Sequence, residues 1–283
     1  MLRAVDREDN LGLLDEQLAL VRAMAPLTPL VVPEEIAHRR IEAGPSNEAG
    51  GVDVRSFTGD KIERLTAYRF HRRDVLNEHL FHVWPGRHYE FPALTTVIFE
   101  MPSMLILGAD FVPIGDVAFD PTYYARYLGD FSDLVAARWS DLVACRLGPE
   151  PPPDPYFTHQ LGSRVSLLMY LENSAVDAAR SFIVEATELW TSMCAGADPV
   201  PESRAGRVEE RRNALIRKAY KGLDYHSPAS DGLASVLGWQ GANLMFDAVF
   251  GPDDVSQPLD RKRTYLDVAL SPGTVGRARS TTA

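Results

Sequence analysis

The chain has 283 residues, 45 % of them apolar, and a formal net charge of −10. That is enough apolar material for one large core or two small ones, and the acidic balance argues against nonspecific binding to nucleic acid or an anionic membrane, which need a basic face. No apolar run approaches the roughly 18 residues of a membrane span, and the charged start MLRAVDREDNLG is unlike a signal peptide, so a cytoplasmic location is expected.

Residues 11–24, LGLLDEQLALVRAM, place Leu11, Leu14, Leu18 and Val21 on one helical face. A connector with Pro26, Pro29 and Pro33 follows, then the loop-like EAGPSNEAGG. From residue 52 the period changes to that of strands. VDVRSF, IERLTAYRFHRR and VLNEHLFHVW are separated by turn residues, and FPALTTVIFEM and MLILGADFV meet Pro102 and Pro113. Short connectors predict an antiparallel meander, because parallel neighbours need long crossovers. The nearly continuous apolar run at 95–107 predicts strands at the centre of the sheet, covered on both faces.

Helical patterns then dominate, at 123–146, 174–195 and 207–250, with one further strand within 163–171. Ser174 and Asp177 predict a near-capping-box start for the helix at 174. The run GPEPPPDP at 148–155 reads as a rigid surface loop, and the C-terminal tail as frayed. One domain is expected over 1–283, with its sheet mainly at 52–120 plus 163–171 and helices on both faces. Cys145 and Cys194 lie in helical patterns as buried free thiols, and no metal site is expected from their spacing.

The densest ionisable cluster holds His71, His79, His82 and His88 with Arg72, Arg73, Arg87, Glu78 and Glu90. On a strand, His79 and His82 point to opposite faces and cannot share a metal ion. His82 shares its face with Leu80 and Trp84. Whichever of Arg72 and Arg73 faces inward is a natural clamp for a carboxylate, through its planar fork. Glu100 ends the β-type run Thr96–Phe99 on the face of Ile98 and Thr96; a desolvated carboxyl there would have a raised pKa and exchange protons near neutrality. Asp110 follows Gly108-Ala109, where a ligand can approach the backbone closely. There is no GxGxxG, P-loop, GxSxG or HExxH motif.

The run VIFEMPSMLILGADFVPIGDVAFDPT resembles the central strand pair of the ferredoxin-dependent bilin reductases. YFTHQLGSRVSLLMYLENSAVDAARSFIVEATELW is similar to their late strand and helix, and RRNALIRKAYKGLDYHSPASDGLASVLGWQGANLMFDAVFG to their closing helices. The resemblance covers roughly residues 50–251. It implies a three-layer α/β/α sandwich around an antiparallel sheet, shared with red chlorophyll catabolite reductase and bacterial Pictet–Spenglerases of β-carboline biosynthesis.

Within that group, a central-strand glutamate with an upstream arginine and histidine resembles the Pictet–Spenglerases. Glu100, Arg73 (or Arg72) and His88 fill those places. This implies condensation of L-tryptophan or a relative with an aldehyde. Glu100 would move protons, the arginine would hold the carboxylate, and Trp84, Phe91 and Tyr68 would pack on the indole; no cofactor is needed. The bilin-reductase alternative makes Asp110 a proton donor beside a tetrapyrrole, with Thr95 where some members have a histidine. Its ferredoxin partner would dock on a local basic patch, either Arg69, His71, Arg72 and Arg73 or Arg207, Arg211, Arg212, Arg217 and Lys218. A third reading is a non-catalytic binder of a tetrapyrrole or another aromatic molecule. The resemblance also implies a homodimer.

Overall fold

The computed structural model describes residues 9–41, 50–72, 76–115, 120–147, 163, 165–213 and 228–251. Its frame is an eight-stranded antiparallel sheet. Two short strands, β1 (Thr28–Pro29) and β2 (His38–Ile41), share the outer edge of β3 (Gly50–Thr58). Then come, in spatial order, β4 (Ile62–Arg72), β5 (Leu76–Pro85), β6 (Ala93–Glu100), β7 (Leu105–Val112) and β8 (Leu167–Leu171). β3 to β7 are the expected meander, tightened by reciprocal backbone bonds between Gly59 and Ile62 and by a Met101–Met104 bond of 2.9 Å. The proline-bearing connector also contributes edge strands, contrary to its reading as a plain link. Pro29 can pair there because an edge strand has one side free of partners.

Side chains alternate across the sheet and so divide it into two faces. On the first face, Leu65, Phe81, Ile98, Leu107 and Phe111 pack beneath α1 (Asp9–Met24), α3 (Pro121–Tyr127), α4 (Gly129–Ala144) and α5 (Val176–Ala195). On the second, Val52, Tyr68, Phe70, Trp84 and Val112 meet α2 (Glu34–Ala37), α6 (Glu202–Asn213) and α7 (Pro228–Phe250). The result is the expected three-layer α/β/α sandwich.

The first layer is pinned by three buried polar hydrogen bonds. Gln17 of α1 donates to Thr96 of β6 at 3.1 Å and to Thr187 of α5 at 2.9 Å, and the Trp190 indole N–H donates to the Pro92 carbonyl at 2.8 Å. Such pairing removes the cost of burying these groups.

Several element boundaries differ from the sequence reading. The helix expected at 123–146 is two, parted at Leu128. β7 ends at Val112, short of the expected limit of the sheet at 120, and Asp120 caps α3 by accepting from the Thr122 and Tyr123 amides, with Pro121 at the first helical position. Ser174 caps nothing: its hydroxyl turns to Glu172 at 3.2 Å, and a 3-10 turn, Asn173–Ala175, leads into α5 instead. The helical stretch expected from 207 starts at Glu202, and α7 is interrupted at Gly238, whose φ of +70° lies in the left-handed region.

Candidate functional site

The two faces of the sheet are covered unequally. Among the described residues, the first face is buried throughout its centre, at Thr96, Ile98, Leu107, Leu167 and Met169. On the second face their immediate neighbours are only half-buried: Leu80, Val97 and Phe99, then Ile106, Leu168 and Tyr170. The register makes these residues two parallel rows. One runs Leu80–Val97–Gly108–Leu168 and the other Glu78–Phe99–Ile106–Tyr170. Gly108 lowers the middle of the first row, and Val97 leans into the gap: a Cβ on Gly108 would lie 2.6 Å from Val97 Cγ1.

Titratable groups border this apolar floor. Along one side runs His82–Thr95–Asp110, three residues in register on β5, β6 and β7. His82 Nδ1 shares a 2.7 Å hydrogen bond with the Thr95 hydroxyl. Its ring lies 4.6 Å from that of Trp84 and 5.6 Å from that of Phe250 in α7. Burial lowers its pKa to about 3, so the imidazole is neutral at physiological pH.

Asp110 accepts from the Ser163 amide at 2.9 Å and its hydroxyl at 2.5 Å. Desolvation outweighs those bonds and raises its pKa to about 6. At the far end of the second row, Glu78 is buried and accepts a short hydrogen bond from Tyr68. Desolvation again dominates, raising its pKa to about 7. Two acids that hold protons near neutrality therefore face the same apolar surface, with Glu78 about 13 Å along the strand from the His82 row. The end of α7 closes the His82 side of the floor, where the Ala248 carbonyl accepts from Thr66, the register partner of His82, at 2.8 Å and from Ser56 at 3.4 Å.

The expected residues are distributed across both layers. Asp110, Trp84 and Arg72 belong to the second face; Arg72 follows Phe70 by two residues at the end of β4. Glu100 is on the first face, where Asn77 donates to it at 3.4 Å. His88 occupies the β5–β6 loop, beyond the other end of β6 from Glu100, and its carbonyl accepts from Val200. The eight residues of β6 span about 23 Å, so Glu100 and His88 cannot act on one reacting centre.

Phe91 is in the first core against Trp190, with ring centres 5.7 Å apart, whereas Trp84 is on the opposite face. The two rings cannot sandwich one ligand. Arg73 lies outside the described residues, as do Arg217 and Lys218. Neither expected basic patch survives intact, since Arg69 is buried against Asn77 and Arg212 is buried with Glu63 and the Pro85 carbonyl.

Glu78 was missed as a site residue, although a cue existed. Leu80, His82 and Trp84 share a face by alternation, and two residues further back on that face stands a lone acid. Among the described residues no group of three or more His, Cys, Asp or Glu could hold a metal ion, and no helix is long and apolar enough to cross a membrane.

No family model matches this chain, and no curated protein does. Its architecture is that of the bilin-reductase-like α/β/α sandwiches. Among solved structures it is similar to phytochromobilin synthase from tomato in complex with biliverdin, with a TM-score of 0.65 and 14 % identity, over 85 % of this chain and 82 % of that one.

Proposed function

We propose that this protein binds a linear tetrapyrrole on the open floor of the second face and reduces it with electrons from a ferredoxin-type donor. The observation that carries this reading is the pair of proton-holding acids, Asp110 and Glu78, on one apolar surface left partly uncovered. An extended conjugated ligand needs a flat apolar bed, which Val97, Phe99, Ile106 and Leu168 offer. Two-electron reduction of a double bond consumes two protons, and each carboxyl can deliver one at near-neutral pH. Neutral His82, linked to Thr95, orients the hydroxyl beside Asp110. The shared fold with an enzyme solved with biliverdin supports the reading.

The cyclase reading fares less well, because Glu100 and His88 are not assembled and Glu100 faces the other helical layer. The test is anaerobic incubation of biliverdin with the protein and reduced ferredoxin, followed by visible absorption. Reduction by the native protein, slowed about 100-fold or more by Asp110→Asn with the bound pigment band retained, is the expected result. A protein that leaves biliverdin unchanged but consumes L-tryptophan and an aldehyde would carry the cyclase activity instead.

A further inference from the structure

Asp110 and Glu78 are held in different ways. At Asp110 both carboxyl oxygens are engaged, Oδ2 by the Ser163 amide and Oδ1 by the Ser163 hydroxyl. At Glu78 only one is. Tyr68 donates to Oε1, and among the described residues the carboxyl has no other hydrogen-bond partner. The register explains why Tyr68 supplies that bond. Glu78 stands opposite Phe70 on β4 and Phe99 on β6, while Tyr68 stands opposite Leu80, one diagonal step from Glu78 on the same face. An aromatic side chain spans such a diagonal. Tyr68 therefore reaches the carboxyl from the β4 side, away from the row Phe99–Ile106–Tyr170. Its ring is buried in the second core, so packing fixes where the hydroxyl stands.

A protonated carboxyl has one oxygen that carries the proton and one that accepts. A phenol donating to Oε1 marks that oxygen as the acceptor and leaves the proton on Oε2. Without the phenol the two oxygens are equivalent, and the proton divides between them. The same bond favours the charged form, so it also steadies the carboxylate once the proton has left. Burial works against it and raises the pKa to about 7. Other ionisable side chains on the elements of this face are Arg72 on β4, Tyr170 on β8, Glu34 and Glu35 on α2, Arg212 on α6 and Asp247 on α7. None of them is among the causes that move Glu78.

We propose that Tyr68 is a positioning residue, which holds Glu78 with its proton on Oε2 and turned toward the open floor. The inference rests on the tetrapyrrole reading for its substrate. In that reaction the Oε2–H bond breaks and its proton joins the pigment, while the ferredoxin-type donor supplies the electrons. The carboxylate that remains keeps its bond from Tyr68.

The experiment titrates the full chain, without pigment, by infrared difference spectroscopy. Glu78→Gln identifies the carbonyl stretch of the protonated Glu78 carboxyl. Tyr68→Phe keeps the buried ring and removes the hydroxyl. It should shift that band to higher frequency, since the carbonyl loses its donor, and move its midpoint upward from about 7. A band and midpoint unchanged in the folded variant would overturn the proposal. With biliverdin and reduced ferredoxin, Tyr68→Phe should slow reduction about tenfold, yet leave the residual rate of Glu78→Gln unaltered. An equal loss in both backgrounds would also overturn it, because Tyr68 would then act through something other than Glu78. The infrared result needs no pigment, so it decides how Tyr68 holds Glu78 even where biliverdin is left unreduced, the outcome that counts against the tetrapyrrole reading itself.

Discussion

Burial sets the chemistry of Asp110 and Glu78 before any ligand arrives. Their carboxyls lose water on folding, and the hydrogen bonds they accept recover only part of that loss, so both stay protonated to higher pH than in water. A donor must hold its proton, so the reduction rate should fall as pH rises past about 6, the value for Asp110. A pH–rate profile flat between pH 5 and 8 would remove Asp110 as the donor. Glu78 yields a separate stability prediction. Below pH 4.5 it is neutral in both folded and unfolded chains, but between 4.5 and about 7 the unfolded chain releases a proton that the fold retains. Native stability is therefore lost as pH rises through that window, by up to on the order of 3 kcal/mol. Glu78→Gln keeps an acceptor for Tyr68 and removes the titration, so its advantage in urea denaturation should grow from pH 5 to pH 8. A difference independent of pH would show that Glu78 is not a strained acid.

The elements fix which residues can cooperate. β5 to β7 place Glu78, His82 and Asp110 on one face simply through strand alternation and register. Gly108 keeps the floor low between them, with Val97 occupying the space a side chain would need. Gly108→Ala should cost about 1–3 kcal/mol in thermal unfolding through overpacking, and should weaken pigment binding as well. Normal binding by that variant would argue that the ligand does not use this floor. On the opposite face, Gln17 joins α1 and α5 to β6 through Thr96 and Thr187. Gln17→Ala should lower stability by about 1–3 kcal/mol, because it leaves buried hydroxyls short of a partner, while pigment affinity stays unchanged. A loss of affinity there would link the two layers.

Over the whole molecule, the sandwich was legible where periodicity reports it. The meander, the central position of the apolar 95–107 run and the separation of His79 from His82 all follow from alternation along single strands. Periodicity is silent about what covers each face. A strand apolar on both sides reads the same whether helices or a ligand complete it, so Phe99 and Val97 looked like core residues. For the same reason Glu100 drew notice as the lone acid of its run, while Glu78, hidden among His79, His82 and arginines, did not. Asp110 was legible because Gly108-Ala109 marked a close approach beside it, and β1 was not, because Pro29 masked an edge strand.

We propose that the half-covered face receives a tetrapyrrole. A visible-absorption titration with biliverdin, run beside a calorimetric titration with L-tryptophan, tests it most directly. A saturable red shift of the pigment band, diminished in Gly108→Ala, with no heat from tryptophan, is the result predicted here. Tryptophan binding without any change in the biliverdin spectrum would contradict it.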